Sequence, residues 1–409
     1  MLFPGEPKSL RDGTIDPATV LHRRSRRTHA FRIGKPYSRA IYPAEDNEDP
    51  SARYTQLLSY HKGHLVTVED RPAGKTLSIR NLFTSEQWEI APSNRDDILA
   101  TTVSDLIAGF ITFRGRCHVT ELSTRSEVAF RLPNSNLFGL QSRGKYIAVI
   151  QDRLHSGEDC SQVFLWHYDT QSSRRILLPD WDLGLGQHII IHPKEDVLIG
   201  FDGGFDDKAQ FRQTKIDFEG QTVASNSVTV ETKDRISARY PRLINRPSDF
   251  DGQFGRAFYI NTGSFIPYNS PTYLAGIVLS DGTSSSFTLL QSPLEITCPI
   301  VHVWKDMIIT QSDRRLTQFS LNNPPESAAE LIPLDLWFPE RPHDHIVHFF
   351  CGDEDFFIFY DVDHLYVGCF DPEVHLEGED ETYRENMAKR ARARIESNRL
   401  VAAETLSKS

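Results

Sequence analysis

The segment HDHIVHFFC, His343–Cys351, contains the residue types that most often bind zinc. The imidazoles of His343, His345 and His348 and the thiol of Cys351 are suitable ligands. On a β-strand, side chains alternate between the two faces, so His343 and His345 share a face and His348 lies on the other. Ligand types without a geometry that closes around one ion are weak grounds for a metal site. We therefore predict that this segment binds no metal.

Two further polar segments could carry chemistry. DGGFDD, Asp202–Asp207, is acidic enough for calcium, but it lacks the alternating oxygen ligands and the terminal Glu of an EF-hand loop. We therefore expect a solvated hairpin loop there. HIIIHP places His188 and His192 on one face of a strand. No carboxylate stands at a defined distance from either ring, which favours hydrogen-bonded structural histidines over an acid–base pair.

Catalytic and phosphate-binding motifs are absent from the sequence. GxSxG, HExxH, the Gly–Lys–Ser/Thr phosphate loop and the dinucleotide-binding glycine set do not occur. We predict no catalytic residue and no cofactor. The function must then depend on how secondary-structure elements bring together polar residues that are far apart in the sequence.

Those elements are strands, and one unit recurs along most of the chain. Its clearest copy is Lys145–Pro179, where KYIAVIQ, VFLWHYD and RRILLP are separated by polar turn residues. The first run of this unit recurs at a spacing of about 40 to 60 residues, which is typical of propeller blades. The seven runs are His64–Glu69, Leu106–Ile111, Tyr146–Gln151, Val197–Asp202, Ala257–Thr262, Met307–Ser312 and Phe356–Asp361.

The strands around each run predict the fold class. We interpret each run as an inner strand, followed by a second strand and a turn of Gly, Pro, Asp, Asn or Ser, residues whose backbone preferences suit tight turns. A further strand, such as Trp88–Pro92, flanks most hairpins. Short hairpin connections require antiparallel strands. The pattern predicts an all-β fold, a β-propeller of seven four-stranded blades, with a long pair of β-sandwich sheets as the alternative.

The predicted propeller spans 30–372, between an N-terminal arm, 1–29, and a charged tail with a C-terminal α-helix, 373–409. Little sequence after the last hairpin resembles an outer strand, so we predict that 37–42 joins the last blade and closes the ring. The blades are predicted at Arg53–Pro92, Asp97–Pro133, Asn136–Pro179, His188–Val230, Ser237–Ser292, Glu295–Leu334 and His343–Pro372.

Composition excludes several function classes. Of the 409 residues, 39% are hydrophobic and 11% aromatic, which is enough for a sizeable β core. The net charge of −11 argues against nucleic-acid binding over the whole surface. No apolar run is long enough to span a bilayer, and the start lacks the pattern of a signal peptide. Five scattered cysteines without CxxC spacing favour a reduced compartment, cytoplasmic or nuclear.

Both ends of the chain are charged. The basic run within Ala18–Thr28 could be a nuclear signal or a contact for an acidic partner. We favour a short solvated helix or arm, because charge clusters are usually solvated surface. Ala30–Pro43 has the pattern of a strand region. In the tail, acidic residues precede basic ones, which suits a helix dipole. The tail's apolar stripe is too thin to bury much surface, and it consists of Tyr383, Met387, Ala391 and Ile395.

The candidate binding residues lie in the longest loop insertions, Asn245–Gly255 and Gly263–Thr272. These loops carry Phe250, Phe265 and Tyr268. Loops on a rigid scaffold are where binding residues concentrate, so we predict these three aromatics as binding residues on one face. The alternative is a local cluster that packs them inward.

Four segments resemble a family of fungal F-box proteins whose C-terminal part is a WD-repeat-like propeller. They are Arg23–Tyr42, Phe113–Thr124, Val163–Thr170 and Ile189–Phe201. The Trp–Asp pair that is usual in WD repeats is replaced here, for example by Trp166–His167, so the repeats are divergent.

This resemblance implies a role in ubiquitin ligation. In that family an N-terminal F-box docks on the Skp-type adaptor of a cullin ligase, and the propeller binds a protein substrate. The first 22 residues here are too short and polar for an F-box, so we expect the adaptor as a partner only if that module lies upstream. We predict a protein-binding scaffold that recognises a substrate, without nucleic-acid or membrane partners. The alternative is a propeller hydrolase or lyase with its site in the central channel, where His or carboxylate groups would converge.

Overall fold

The computed structural model describes the chain in segments. They are 16–43, 58–72, 74–92, 96–133, 139–151, 160–178, 188–192, 195–205, 209–230, 242–243, 248–250, 253–261, 273–280, 288–296, 300–304, 307–312, 315–320, 323, 332–334, 349–360, 364–378, 380–381, 385, 388–389, 392–393 and 396. The chain divides into two compact units, one of 1–44 with 334–409 and one of 45–333. The first is called unit 1 and the second unit 2.

Unit 2 is built of antiparallel sheets whose strands follow one another along the chain. Sheet one has β2 Leu58–His61, β3 His64–Arg71, β4 Gly74–Asn81 and β5 Gln87–Ile90. Sheet two has β6 Ile98–Val103, β7 Ile107–Thr112, β8 Arg116–Glu121 and β9 Glu127–Arg131. Sheet three has β10 Gly139–Arg143, β11 Tyr146–Gln151, β12 Ser161–His167 and β13 Ser173–Leu178.

The remaining sheets of unit 2 continue this order. Sheet four has β14 His188–Ile191, β15 Val197–Phe205, β16 Ala209–Asp217 and β17 Thr222–Val230. Sheet five has β18 Arg242–Leu243, β19 Ser248–Phe250, β20 Gln253–Asn261, β21 Tyr273–Ser280 and β22 Thr288–Ile296, with β19 paired to β20 beside β18. Sheet six has β23 Ile300–Trp304, β24 Met307–Ser312, β25 Arg315–Ser320 and β26 Ile332–Pro333.

Apolar clusters hold successive sheets of unit 2 together. Each of three clusters takes residues from two neighbouring sheets, since sheets stack by burying their apolar faces. The cluster between sheets one and two consists of Val66, Leu77, Ile79, Ile90, Ile98, Val103, Ala108 and Phe110. The other two lie between sheets two and three and between sheets three and four. Sheets one to four therefore share their cores in sequence, each with the next.

The first strands of sheets one to four also bond sideways to each other. The Ser59 hydroxyl donates to the Thr101 carbonyl at 2.9 Å. The Gln141 amide donates to the Ile189 carbonyl at 2.6 Å and accepts from the Ile191 N–H at 3.3 Å. Two of these first strands, β2 and β10, are polar, and the sequence pattern assigns the inner position to the apolar run that follows the first strand. That assignment is wrong: Tyr146–Gln151, for example, is the second strand, β11, and β10 precedes it.

Unit 1 contains sheet seven, in the order β1-β29-β28-β27. Its strands are β1 Ser38–Pro43, β27 Phe349–Gly352, β28 Phe356–Tyr360 and β29 His364–Cys369. β1 pairs antiparallel with β29, with Ser38 opposite Cys369 and Pro43 opposite His364. This is the pairing with the last hairpin that the sequence predicts for 37–42.

A helix precedes β1, and it corrects two sequence interpretations. α1, Pro17–Arg32, begins at the N-cap Asp16, whose carboxylate accepts from the Ala18 N–H at 3.1 Å, and it ends before Gly34 with a φ of 67°. Ala30, Phe31 and Arg32 are therefore helical rather than part of a strand region. The basic run is also not simply solvated, because two of its arginines bind carboxylates of unit 1.

Charge pairs attach α1 to the end of sheet seven. Arg23 binds Asp371 at 2.7 Å and Glu373 at 2.8 Å. Arg27 binds Glu354 at 3.1 Å and also Asp355. Only Ala30 and Phe31 of the helix are buried, and the Phe31 ring meets Phe370 edge-on at 5.2 Å. An amphipathic face therefore contributes little, and the ion pairs are a large part of what holds the helix.

Several carboxylates surround these arginines, and one of them resists ionisation. Burial and the neighbouring Asp353 carboxylate raise the pKa of Asp355 to about 7, while Arg27 acts in the opposite direction. Glu354 and Asp371 add to the increase. In the unfolded chain this carboxyl has its ordinary pKa near 3.9. The folded state thus binds the proton more tightly than the unfolded state does.

We expect the stability of unit 1 to fall as the pH rises from about 4 to about 7, because the unfolded state releases this proton first. The change Asp355→Asn should flatten that decline and stabilise the unit by about 1–2 kcal/mol above pH 7, less than the full linkage energy because water reaches part of the site. Hydrogen exchange of the α1 and β29 amides across this pH range measures it. An unchanged pH profile in the variant would contradict the assignment to Asp355.

The C-terminal tail starts on sheet seven. Val374 and Leu376 are buried, and the Asp380 N–H donates to the Arg39 carbonyl of β1 at 2.8 Å. The Arg39 guanidinium binds the Asp380 carboxylate at 2.9 Å. The described positions 381, 385, 388–389, 392–393 and 396 are helical and exposed. The four residues of the predicted apolar stripe lie outside the described residues.

Candidate protein-binding surface

The turns at one end of sheets one to three form a rigid edge of unit 2. They join the first strand to the second and the third to the fourth, and we call them the turn edge. In each sheet the residue after the third strand donates its N–H to a carbonyl of the first turn: Leu82 to Gly63, Leu122 to Leu106 and Tyr168 to Lys145, at 2.8, 2.8 and 2.9 Å. The same bond in successive sheets fixes each pair of turns.

Phe83 is exposed on the turn edge of sheet one. Gly63 has a φ of 82° and no side chain, and an added Cβ would lie 2.3 Å from the Phe83 ring, so only glycine leaves room for this ring position. The Asn81 side chain accepts from the Phe83 N–H at 2.9 Å. The ring nevertheless remains 39% exposed. Phe83 is therefore an exposed aromatic residue whose backbone is already held in place without a bound protein.

Leu106 lies on the turn edge of sheet two, in the turn between its first and second strands. The Ser104 hydroxyl accepts from the N–H groups of Leu106 and Ile107 at 3.2 and 3.1 Å, and it donates to the Gly144 carbonyl of sheet three at 2.7 Å. This one hydroxyl holds the turn and also ties two sheets. Leu106 is 42% exposed.

Ion pairs connect the turns of neighbouring sheets. Arg125 of sheet two binds Glu86 of sheet one at 2.7 Å. Lys145 of sheet three binds Asp169 of its own sheet at 2.6 Å and Glu121 of sheet two at 3.1 Å. Hydrogen bonds to Asp169 and Glu121 raise the pKa of Lys145, so it stays charged. These exposed pairs add little stability, but they fix the spacing of the turns around Phe83 and Leu106.

The opposite end of sheet two also exposes an aromatic residue. Phe113 lies in the turn between β7 and β8 and is 54% exposed. Its N–H donates to the Asp97 carbonyl at 3.0 Å. Phe113 is therefore an exposed phenylalanine away from the turn edge, and its replacement can serve as a control for replacement of Phe83.

The sequence pointed to other aromatics, and their placement is only partly described. Phe250 ends β19, but its side chain lies outside the described residues, as do Phe265 and Tyr268 altogether. The turn after Phe250 leads into the start of β20, whereas the segment with Phe265 and Tyr268 leaves from its end. The two loops thus attach at opposite ends of a nine-residue strand. All three residues stay predictions.

The histidine and acidic segments give no metal centre within the described ranges, where no group of three or more His, Cys, Asp or Glu could hold a metal ion. His343, His345 and His348 lie outside those ranges, and Cys351 is buried in β27. The His192 ring accepts from the Glu195 N–H at 2.8 Å, a structural role, while the side chain of His188 is not described. Asp202–Phe205 belong to β15 rather than to a loop, which corrects that expectation.

Phe83 and Leu106 were missed for identifiable reasons. The apolar pattern places Leu106 at the start of a strand, although this residue follows the turn residue Asp105. Phe83 follows the strand end at Leu82 and precedes the turn residues Thr84 and Ser85. An aromatic residue between a strand and its turn was the available signal.

No protein-family model matches this chain, and no curated protein matches it. Solved structures that it is similar to include the β-propeller domain of the trilobed protease from Pyrococcus furiosus, at 10% identity and a TM-score of 0.47 over 80% of this chain and 95% of that one. A chain of the mitotic checkpoint complex is similar at 9% identity and 0.47, covering 82% and 95%. The N-terminal domain of Nup159 follows at 9% and 0.43, covering 81% and 96%. No family assignment follows from these likenesses.

Among the described residues, no helix combines the length and apolar character that crossing a bilayer requires.

Proposed function

We propose that this chain is a propeller-type protein-binding scaffold whose turn edge carries the recognition surface. The observation that carries the proposal is the pair of exposed apolar residues, Phe83 and Leu106, held on turns of adjacent sheets whose backbones are fixed. Interfaces are dominated by a few anchors of this kind. Anchors that are already ordered lose little conformational entropy on binding, which increases affinity.

The scaffold part rests on the repetition of sheets. Clusters shared by successive sheets and side-chain bonds between their first strands support a radial stack. The pairing of β1 with β29 supports closure of the last blade by a strand from the other end of the chain. We propose that the sheets are the blades of a propeller.

The finer role is substrate recognition for an F-box-type ubiquitin ligase. Its support is the resemblance of the four segments named above, of which Arg23–Tyr42 contributes most of α1 and β1. In this role the turn edge binds the protein substrate. A Skp-type adaptor would bind an F-box outside the described residues.

Affinity purification with matched variants tests both levels. Phe83→Ala with Leu106→Ala should lose a defined set of captured proteins, because truncating each anchor costs about 1–2 kcal/mol, or about tenfold in affinity. Phe113→Ala removes the same ring from the opposite end of sheet two and should keep that set.

The outcomes separate the two claims. Identical protein sets from the double variant and from Phe113→Ala would show that the turn edge is not the binding surface. Recovery of a substrate set without any Skp-type adaptor or cullin, from the full-length native protein, would remove the ligase role and leave the scaffold.

A further inference from the structure

Within the part of the chain that the structure describes, β17, Thr222–Val230, is the last strand of sheet four and pairs with β16 alone. A bulge at Val223 interrupts the pairing, and the ladder is regular from Ala224 to Val230. Thr222, Val223, Ser225 and Ser227 are exposed, Val223 at 57%. A strand in this position presents a row of backbone N–H and C=O groups to solvent.

β17 differs from the outer strands of the other sheets. Proteins protect such edges with charges, prolines or short strands, because open edges pair with other chains. The outer strand of each other sheet carries a charged residue or a proline. These are Glu89 in β5, Glu127 and Arg131 in β9, Arg174 and Arg175 in β13, Pro293 and Glu295 in β22, Pro333 in β26, and Arg39 and Pro43 in β1. β17, with the sequence TVASNSVTV, has no charge and no proline.

The regular part of β17 is close to self-complementary. If two copies pair antiparallel with Asn226 on the two-fold axis, Ser225 of each lies opposite Ser227 of the other, and Ala224 lies opposite Val228. A two-fold interface places the same surface on both partners, so any charge near the axis faces its own copy. A neutral strand with serine opposite serine avoids that repulsion.

From these features we propose that a second copy of this chain docks along β17. The two β17 strands pair antiparallel about Asn226 and join the two copies of sheet four into one continuous sheet. Main-chain hydrogen bonds supply the affinity, as in other strand additions. The site is separate from the turn edge, so the dimer presents two recognition surfaces.

A charge-exchange pair of variants tests the register. In Ser225→Lys with Ser227→Lys, each lysine faces a lysine of the second copy, whereas in Ser225→Lys with Ser227→Glu each lysine faces a glutamate. Both positions are exposed. Both variants lose the 3.3 Å contact between the Ser225 and Thr214 hydroxyls, so its loss affects the two equally. Circular dichroism checks that the monomer keeps its fold. Light scattering after size exclusion, over micromolar to submillimolar concentrations, measures the dimer.

We expect the wild type to form more dimer as its concentration rises. The dissociation constant of the Lys/Lys dimer should be about tenfold higher than that of the wild type, and that of the Lys/Glu dimer should be equal or lower. The Lys/Lys variant reduces the net negative charge of −11, so general repulsion between monomers would act in the opposite direction. A wild type that stays monomeric throughout would overturn the proposal and leave the edge to an extended peptide of another protein. Equal dissociation of the two variants would overturn the register and with it the second-copy site.

Discussion

Phe110→Ala should destabilise unit 2 by about 3–5 kcal/mol, the cost of removing a large aromatic ring from a filled core. Phe110 of β7 is 0% exposed and belongs to the cluster shared by sheets one and two. Its ring also stacks on His118 at 4.7 Å. The cavity would lie in the cluster that sheets one and two share. Urea unfolding followed by tryptophan fluorescence measures the loss.

Phe113→Ala is the matched control, because it makes the same change in the same sheet. At 54% exposure its effect should stay within about 0.5 kcal/mol. Similar losses in the two variants would mean that sheets one and two do not share the core described here.

Arg27→Ala should release α1 from sheet seven, with a loss of about 3 kcal/mol in unit 1 at pH 8. The change leaves Glu354 and Asp355 without the cation that now binds both. Because the pKa of Asp355 is already raised to about 7, its carboxyl can take up a proton at lower pH. The penalty should therefore shrink towards pH 5. Hydrogen exchange of the α1 amides reports the release directly.

Ser25→Ala and a double variant complete this test. Ser25 lies on the exposed side of the same helix, and its replacement should leave the exchange rates unchanged. Adding Asp355→Asn to Arg27→Ala removes one of the two carboxylates that Arg27 binds in the wild type. The double variant should recover part of the stability that Arg27→Ala loses. A penalty that does not vary with pH would show that Asp355 is not the partner that matters.

The repetition of strands was readable in the sequence because turn residues and β-rich runs alternate along the chain. The predicted blade Asn136–Pro179, for instance, encloses all four strands of sheet three, from Gly139 to Leu178. The first strands of sheets one and three were not readable. LSYH and GLQSR are polar because Ser59 and Gln141 bond sideways to the next sheet. Hydrophobic periodicity shows which strand faces pack in the core. It carries no information about side-chain hydrogen bonds between the first strands of neighbouring sheets.

The candidate site was less accessible to sequence reasoning. Long loops with aromatic residues attract attention, and Phe250, Phe265 and Tyr268 were chosen on that ground. Phe83 and Leu106 lie in short turns, where exposure depends on Gly63 and on the bonds of Ser104. Those contacts join residues of different strands, so no local pattern reports them. The attachment of α1 was hidden for the same reason, since its acidic partners lie at the far end of the chain.

The pairing of β1 with β29 also sets an order of events during synthesis. β1 leaves the ribosome before the whole of unit 2, and its partner β29 leaves only after it. Until then β1 lacks β29, the strand it pairs with among the described residues, while the sheets of unit 2 can form from contacts between neighbouring segments. Chains that stop before Cys369 should therefore keep an unpaired β1, a mark by which quality control could recognise an unfinished protein.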